Sequence, residues 1–178
     1  MCLSPADELR AASRYPLAYF LTWTCYGTWL PGDDRGWIDA GHNLPGTPRL
    51  QPDATIRAHT GARLLSAPVT LDGEQRQVVA NTIRTVCGYR QWQLHALNVR
   101  TNHVHVVASA AEQPDRLLSA LKAWSTRRLR ELGMAPGGSP VWTKHGSTRY
   151  LWLQRDVDAA STYVLDGQGA PLTREVKD

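Results

Sequence analysis

Residues 92–110, WQLHALNVRTNHVHVVASA, contain two short apolar segments separated by a polar turn at 100–102. Alternation of apolar and polar side chains predicts one strand over 92–100, and residues 103–110 predict a second. The short connection predicts that these strands pair as an antiparallel hairpin. The hairpin is therefore the unit around which the other elements have to be arranged.

The second strand of the hairpin carries two histidines, His103 and His105, two positions apart. Side chains at i and i+2 of a strand share a face, so both imidazoles project together while Val104 and Val106 point the other way. Two imidazoles on one face suit a divalent cation that also takes oxygen ligands. The spacing is also typical of two half-buried histidines that only satisfy local hydrogen bonds, and it does not decide between these interpretations.

The remaining elements follow from the spacing of apolar residues, which differs between strands and helices. It predicts a first strand within 17–30, helices at 72–90, 112–132 and 155–169, and a strand after a turn at Gly146–Ser147. The order β–α–β–β–α–β–α is the split β-α-β pattern of a ferredoxin-like sandwich. The sequence thus predicts an α+β fold, with an antiparallel sheet, helices packed on one face, and the other face open for chemistry.

The segment 31–70 interrupts this pattern. It holds ten prolines and glycines, so no helix or strand is predicted there. A loop of this length is often functional, although a mobile insertion explains it equally well. At 178 residues the chain is expected to form a single domain, 1–178, with a loose charged tail after residue 170.

Composition restricts the compartment and the partners. The formal charge is +4 and the isoelectric point is near 9.2, which permits a phosphate-backbone partner. The three cysteines, Cys2, Cys25 and Cys87, form no CxxC pair, which favours a reducing compartment over a disulfide framework or a cysteine zinc site. There is no signal-peptide pattern and no apolar run of about 20 residues, so a cytoplasmic protein without membrane partners is expected.

Tyr163 lies on the inner side of the last predicted helix, where a tyrosine is usually a core residue. Tyrosine is also one of the side chains that form covalent enzyme intermediates. A phenol that attacks a phosphodiester needs a cation beside it, and a histidine pair on a strand could hold that cation. The sequence leaves both roles open.

Basic side chains alternate with aromatic rings between residues 122 and 152. The basic residues are Lys122, Arg127, Arg128, Arg130, Lys144 and Arg149, and the rings are Trp124, Trp142, Tyr150 and Trp152. Surfaces of this kind bind single-stranded nucleic acid by charge neutralisation and base stacking. Core tryptophans beside a solvated basic face would give the same pattern.

On these residues the chain resembles the HUH single-tyrosine transposases of bacterial insertion sequences, in particular the branch called REP-associated tyrosine transposases. NHVHVV (102–107) is similar to the His-hydrophobic-His strand of that family, and TYVLDGQG (162–169) to its tyrosine-bearing helix. YFLTWTCYGTWLPGDDRGWID (19–39) resembles the opening segment of the branch. The resemblance covers roughly residues 17–169.

This resemblance implies DNA transposition by metal-dependent cleavage and strand transfer of single-stranded DNA, often near a hairpin. His103 and His105 would hold Mg²⁺ or Mn²⁺, and Tyr163 would form a 5′-phosphotyrosine link. It also implies a bacterial cytoplasmic protein that is associated with the nucleoid when bound to DNA. Relatives include monomers and homodimers, and either state is compatible with this sequence.

The sequence departs from the family at one position. Relatives commonly carry a third polar ligand four residues after the tyrosine, where this chain has Gly167. We therefore expect Gln168 to be the third ligand, with Asp166 in reserve. Two alternatives stay open: a domesticated DNA-binding protein that has lost cleavage, and a structural domain with core histidines.

Overall fold

The computed structural model describes residues 15–38 and 48–167. Within them the strands are β1 (Ala18–Thr24), β2 (Gln93–Val99), β3 (His103–Ser109) and β4 (Ser147–Leu151). The helices in the same residues are α1 (Ala54–Ala62), α2 (Gly73–Tyr89), α3 (Pro114–Glu131) and α4 (Gln154–Leu165). None of these helices is long and apolar enough to cross a membrane.

The four strands form one sheet in the order β2-β3-β1-β4, and every neighbouring pair is antiparallel. Because β3 lies between β1 and β2, and β1 lies between β3 and β4, two β-α-β units interleave. This is the split β-α-β arrangement that the sequence predicts. The predicted α+β class and its antiparallel sheet are confirmed.

One face of the sheet, here called the closed face, packs against α2 and α3. α2 begins with a capping box in which Asp72 and Gln75 satisfy each other's backbone N–H groups, which fixes where the helix starts. The core on this side combines residues of β1, β3 and both helices, among them Leu21, Trp23, Val104, Val106, Val79, Ile83, Leu117 and Leu121. The predicted packing of helices on one face holds for these two helices.

The other face, here called the open face, is covered in part by α4, so the prediction that all helices share a face is wrong. Val157, Ala160 and Val164 recur at helical spacing and are buried against this side of the sheet. Their partners include Phe20 and Val107. β3 therefore carries apolar side chains on both of its faces, which a strand covered on one side does not need.

A β-bulge changes the face of one residue in β2. The sequence predicts that Leu94 shares a face with Ala96, but the register shifts between these two residues, with Leu94 opposite Ala108 and Ala96 opposite Val107. Leu94 consequently packs on the closed face and Ala96 on the open face. The extra residue of the bulge reverses which face the side chains before it project from, relative to regular alternation.

The segment 31–70 is more ordered than its composition predicts. It contains α1, whose N-terminal cap is Asp53, and an antiparallel bridge between Trp37 and Leu50. The prediction of no helix there is wrong because the cap and tertiary contacts compensate for weak local periodicity. Residues 39–47 of the loop and the tail predicted after residue 170 lie outside the described residues.

Candidate active site

β3 places two imidazoles side by side on the open face. The ring centres of His103 and His105 are 4.7 Å apart, and the ring planes are inclined by 70°. His105 is buried and His103 is half-buried. Both rings project from one face of the sheet, and Val104 and Val106 project from the other, as strand alternation predicts.

Each imidazole is held at its Nδ1 atom by a neighbouring oxygen. Oδ1 of Asn102 is 2.7 Å from Nδ1 of His103, and an amide oxygen only accepts, so this Nδ1 carries the proton. The hydroxyl of Thr22, which is paired with His105 across β1 and β3, is 2.8 Å from Nδ1 of His105. Such bonds direct Nε2 toward a metal ion. The pair therefore fits a divalent cation that takes imidazole and oxygen ligands.

α4 brings Tyr163 to the same face. The helix end is tied to β2, because Nδ2 of Asn98 donates a hydrogen bond of 2.9 Å to the carbonyl of Val164. The Tyr163 ring is 48% exposed, and its centre is 6.0 Å from the ring centre of His105 and 6.0 Å from that of Phe20. A half-exposed phenol and the imidazole pair are thus neighbours within one chain.

A cavity of about 740 Å³ connects these groups. The polar and charged side chains that line it include His103, His105, Tyr163, Arg149, Arg35 and Arg49. Asp156 of α4 is the carboxylate among the lining residues. Arg35 is paired with Asp33 behind the lining, and the guanidinium groups of Arg49 and Arg149 still outnumber the one carboxylate of the lining, which favours a polyanionic ligand.

Of the two residues predicted as a third metal ligand, the described part of the chain includes only Asp166. Within residues 15–38 and 48–167, no group of three or more His, Cys, Asp or Glu side chains could hold a metal ion. Asp166 is exposed at the C-terminal cap of α4 and completes no such group. Gln168 lies outside the described residues.

The end of α4 gives a physical reason for glycine four residues after the tyrosine. The N–H of Gly167 donates a 3.0 Å hydrogen bond to the carbonyl of Tyr163, which is the i to i−4 bond of the last helical turn. A Cβ at position 167 would lie 2.8 Å from that oxygen and 2.9 Å from Cδ2 of the tyrosine ring. Any side chain at this position would therefore displace Tyr163 or the helix end.

The loop after β1 builds one wall of the cavity, and sequence reasoning did not assign it to the site. Asp33 is buried and accepts two hydrogen bonds from the Arg35 guanidinium, of 2.7 and 2.9 Å. These bonds lower the pKa of Asp33 to about 2. Arg35 also donates to the carbonyl of Thr28, so the loop is crosslinked. Strand alternation and helical spacing do not reveal contacts of this kind. The one signal in the sequence was the cluster of charged residues at 33–35.

The six basic residues predicted to contact DNA lie in two places, and the structure brings Arg149 to the histidine cavity. A second groove, of about 930 Å³, runs between α3 and residues 140–144. Of the other predicted residues, those that line this groove are Lys122, Arg127, Arg130 and Lys144. Arg128, also on α3, shares Glu131 with Arg127.

Some of the side chains at the α3 groove have structural contacts. Nζ of Lys122 donates to the carbonyls of Thr143 and Lys144, and burial lowers the pKa of this lysine. Arg130 donates to the carbonyl of Ser139 at 2.8 Å. These bonds tie the segment after α3 back to the helix. The aromatic residues of the pattern divide similarly, since Trp142 is part of the closed-face core, whereas Trp124, Tyr150 and Trp152 are exposed.

Other candidate nucleophiles lie away from the cavity. Tyr150 is as exposed as Tyr163, but its ring packs edge-on against Tyr19 at 5.4 Å, toward the closed face. Burial raises the pKa of Cys25 to about 12 and that of Cys87 to about 11, so both thiols stay protonated at neutral pH. Of these side chains, Tyr163 is the one that lines the cavity together with the histidines.

Comparison with protein families identifies a transposase pattern in the central part of the chain. Residues 67–150, a little under half of the chain, match the family described as "Transposase IS200 like". This segment contains both histidines and ends before Tyr163. The predicted resemblance is confirmed, and a transposition role is what the match supports.

Two solved structures are similar to this chain. A candidate transposase from Deinococcus radiodurans R1 is 15% identical, with a TM-score of 0.48, over 86% of this chain and 92% of that chain. A REP-associated tyrosine transposase bound to a REP hairpin is 12% identical, with a TM-score of 0.48, over 85% of this chain and 66% of that chain. Comparison with curated proteins found no match.

Proposed function

We propose that this chain cleaves single-stranded DNA and transfers the cut strand, with Tyr163 as the nucleophile. The observation that carries the proposal is the convergence of Tyr163 and the pair His103 and His105 on one cavity, with 6.0 Å between the ring centres of Tyr163 and His105. The excess of guanidinium groups in the cavity lining and the family match support a DNA substrate.

In the proposed reaction the Tyr163 hydroxyl attacks the scissile phosphorus. An Oη–P bond forms and the P–O3′ bond breaks, while the phenol loses its proton and the departing oxygen takes one up as a 3′-hydroxyl. The product on the enzyme is a 5′-phosphotyrosine ester. Attack on this ester by the 3′-hydroxyl of another strand reverses the step and joins the strands. No ATP is required, because the phosphotyrosine ester conserves the energy of the phosphodiester bond that was broken.

The histidines are proposed to bind Mg²⁺ or Mn²⁺ through Nε2, with Gln168 as the proposed third ligand and Asp166 in reserve. A bound divalent cation would polarise the scissile phosphate and stabilise the charge that develops on it. Thr22 holds the ring of His105 in the required orientation.

A covalent-adduct assay tests the nucleophile. The wild-type protein, with Mg²⁺ or Mn²⁺ and a labelled single-stranded hairpin oligonucleotide, is expected to give a denaturation-resistant protein–DNA band. Tyr163→Phe should lose this band and keep DNA binding. Tyr150→Phe removes an equally exposed hydroxyl on the other side of the sheet and should keep the band. Adducts that persist in Tyr163→Phe would contradict the assignment.

A second candidate function is DNA binding without cleavage. It is favoured by one observation, the lack of a third His, Cys, Asp or Glu beside the histidines in the described residues. In this case the wild-type protein would bind the hairpin oligonucleotide with a salt-dependent affinity and form no adduct with either cation. A structural domain would show no such affinity.

The extent of the DNA surface and the assembly state are also proposals. We place further DNA contacts along the α3 groove, through the exposed side chains of Arg127 and Lys144, and beside it through the exposed Arg128. Both reacting groups come from one chain, so a monomer provides the proposed site and a homodimer would hold two. Light scattering with and without DNA distinguishes the two states.

A further inference from the structure

We infer that Arg49, stacked on Trp29, is a phosphate-binding residue that holds the DNA strand next to the linkage attacked by Tyr163. This inference rests on the proposed function, because it assigns a substrate contact in the same cavity. Both residues line that cavity. Trp29 lies in the segment 17–30 and Arg49 in the segment 31–70, and sequence analysis gave neither residue a role in binding.

Arg49 is exposed, yet several contacts fix its position. The central carbon of its guanidinium is 4.8 Å from the ring centre of Trp29, and Nη1 donates a 3.3 Å hydrogen bond to the carbonyl of Arg35. Its aliphatic part passes close to Gly36, which has φ +76°, and a Cβ there would lie 3.0 Å from Cβ of Arg49. The adjacent Leu50 pairs with Trp37, which sets the chain direction at Arg49.

The support beneath Arg49 is itself rigid. Nε1 of Trp29 donates a 2.9 Å hydrogen bond to the carbonyl of Gly36, and the Arg35 guanidinium lies 5.0 Å from the same ring. Arg35 is in turn held by the buried carboxylate of Asp33. The two guanidinium groups that contact Trp29 therefore differ in charge balance, since Arg35 is offset by Asp33 and Arg49 is held by a ring and a carbonyl.

This arrangement is suited to a phosphate ligand. Fixing an exposed arginine costs side-chain entropy during folding, so this cost does not arise again when the group binds its ligand. A guanidinium has five N–H donors in one plane, and the contact to Arg35 uses one side of it. The remaining donors match two oxygens of a phosphodiester. With Arg149 from β4, Arg49 gives the cavity cationic groups from two separate segments of the chain.

The test is the salt dependence of DNA binding, measured by fluorescence anisotropy with a short single-stranded oligonucleotide in EDTA, so that no cleavage is required. Loss of one phosphate contact lowers the slope of log K against log salt concentration by about 0.7. Arg49→Gln is expected to show that decrease and to bind about fivefold more weakly at 0.1 M salt, which follows from the same slope. Arg63→Gln, at the exposed end of α1, removes equal charge outside the cavity lining and should leave the slope unchanged.

Trp29 acts through Arg49, so it is a positioning residue, and a double-mutant comparison tests this. Trp29→Leu should lower the slope in the wild-type background and leave it unchanged in Arg49→Gln. An additive decrease would overturn the positioning role. Equal slopes for the wild-type protein and Arg49→Gln, or an equal decrease in Arg63→Gln, would overturn the phosphate contact.

The result is separable from the proposed cleavage. Adduct formation by the wild-type protein together with an unchanged slope in Arg49→Gln would overturn this inference and leave the cleavage function intact. A decreased slope in Arg49→Gln without adducts in the wild-type protein would support the phosphate contact while the cleavage function fails.

Discussion

β1 and β3 send alternate side chains to two faces that are covered differently. On the closed face α2 and α3 bury Leu21 and Val106 to 0% exposure. On the open face α4 covers Phe20 and Val107, while His103 and its neighbours line a cavity. Two long helices thus seal one side of the sheet, and one shorter helix leaves part of the other side accessible.

The difference separates stability from chemistry along the same strands. Apolar burial on the closed face supplies most of the stabilisation, since the hydrophobic term grows with the area removed from water. Buried polar groups on the open face need hydrogen-bond partners instead, and the Thr22 hydroxyl and the Asn98 amide provide such contacts. Neighbouring residues such as Leu21 and Thr22 should therefore respond to substitution in different ways.

The largest effect on stability is expected at the closed face. Leu21→Ala should lower the free energy of unfolding by about 2–5 kcal/mol, because it leaves a cavity in the core under the helices. Urea unfolding measures the change. The folded fraction should still bind single-stranded DNA. A loss below about 1 kcal/mol would show that the two faces are not as different as the burial indicates.

The next prediction concerns Thr22, one residue further along β1. Thr22→Val keeps the side-chain volume and removes the oxygen that holds His105, so Mn²⁺ affinity and adduct yield should fall about 10–100-fold. The free energy of unfolding should change by only about 1 kcal/mol. Calorimetric titration with Mn²⁺ and the adduct assay provide the measurements.

The matched control for that substitution is Thr24→Val. Thr24 also lines the cavity, and its hydroxyl donates to Thr143 at 3.2 Å. The Thr24→Val substitution should leave Mn²⁺ affinity unchanged. Equal effects of the two substitutions would show that orientation of His105 by Thr22 is not what matters.

In the cavity wall the expected loss of stability is smaller than at Leu21, and no effect on metal affinity is expected. The pKa of Asp33 is about 2 in the folded chain against an ordinary value of 3.8, so its ion pair stabilises the fold above about pH 4 and loses this effect as pH falls toward 2. Asp33→Asn should lower the free energy of unfolding by about 1–2 kcal/mol at pH 7, a range reduced for the half-exposed Arg35. Urea unfolding should show that the difference in unfolding free energy between the wild-type protein and Asp33→Asn is smaller at pH 3 than at pH 7.

The control for the Asp33→Asn substitution is Asp34→Asn. The Asp34 side chain is 76% exposed and pairs with Arg57 at the surface, so its loss should cost no more than about 0.5 kcal/mol. If the difference between Asp33→Asn and the wild-type protein stays constant from pH 7 to pH 3, the charge of Asp33 is not what holds the loop.

Elements that follow from local pattern were predictable, and those that depend on distant partners were not. The hairpin, α2 and α3 carry their own periodicity and lie within a few residues of the prediction. The bulge at Leu94 and the helix α1 could not be predicted. A bulge depends on its partner strand, and α1 is a short helix without buried residues that contacts Gly32 and Asp34 through Asp53 and Arg57. In the site, the positions of Arg49 and Trp29 in the cavity lining were missed because they too depend on contacts between distant segments.

Sequence alone determined that His103 and His105 share one face of a strand, because the alternation of an extended chain allows no other arrangement. It also identified a late helix bearing Tyr163. Tertiary structure decided that this helix packs on the histidine face, through contacts of Val157 and Val164 with Phe20 and Val107. That choice depends on which surface the two long helices leave uncovered, and contacts between segments far apart in the chain are not encoded in the periodicity of either segment.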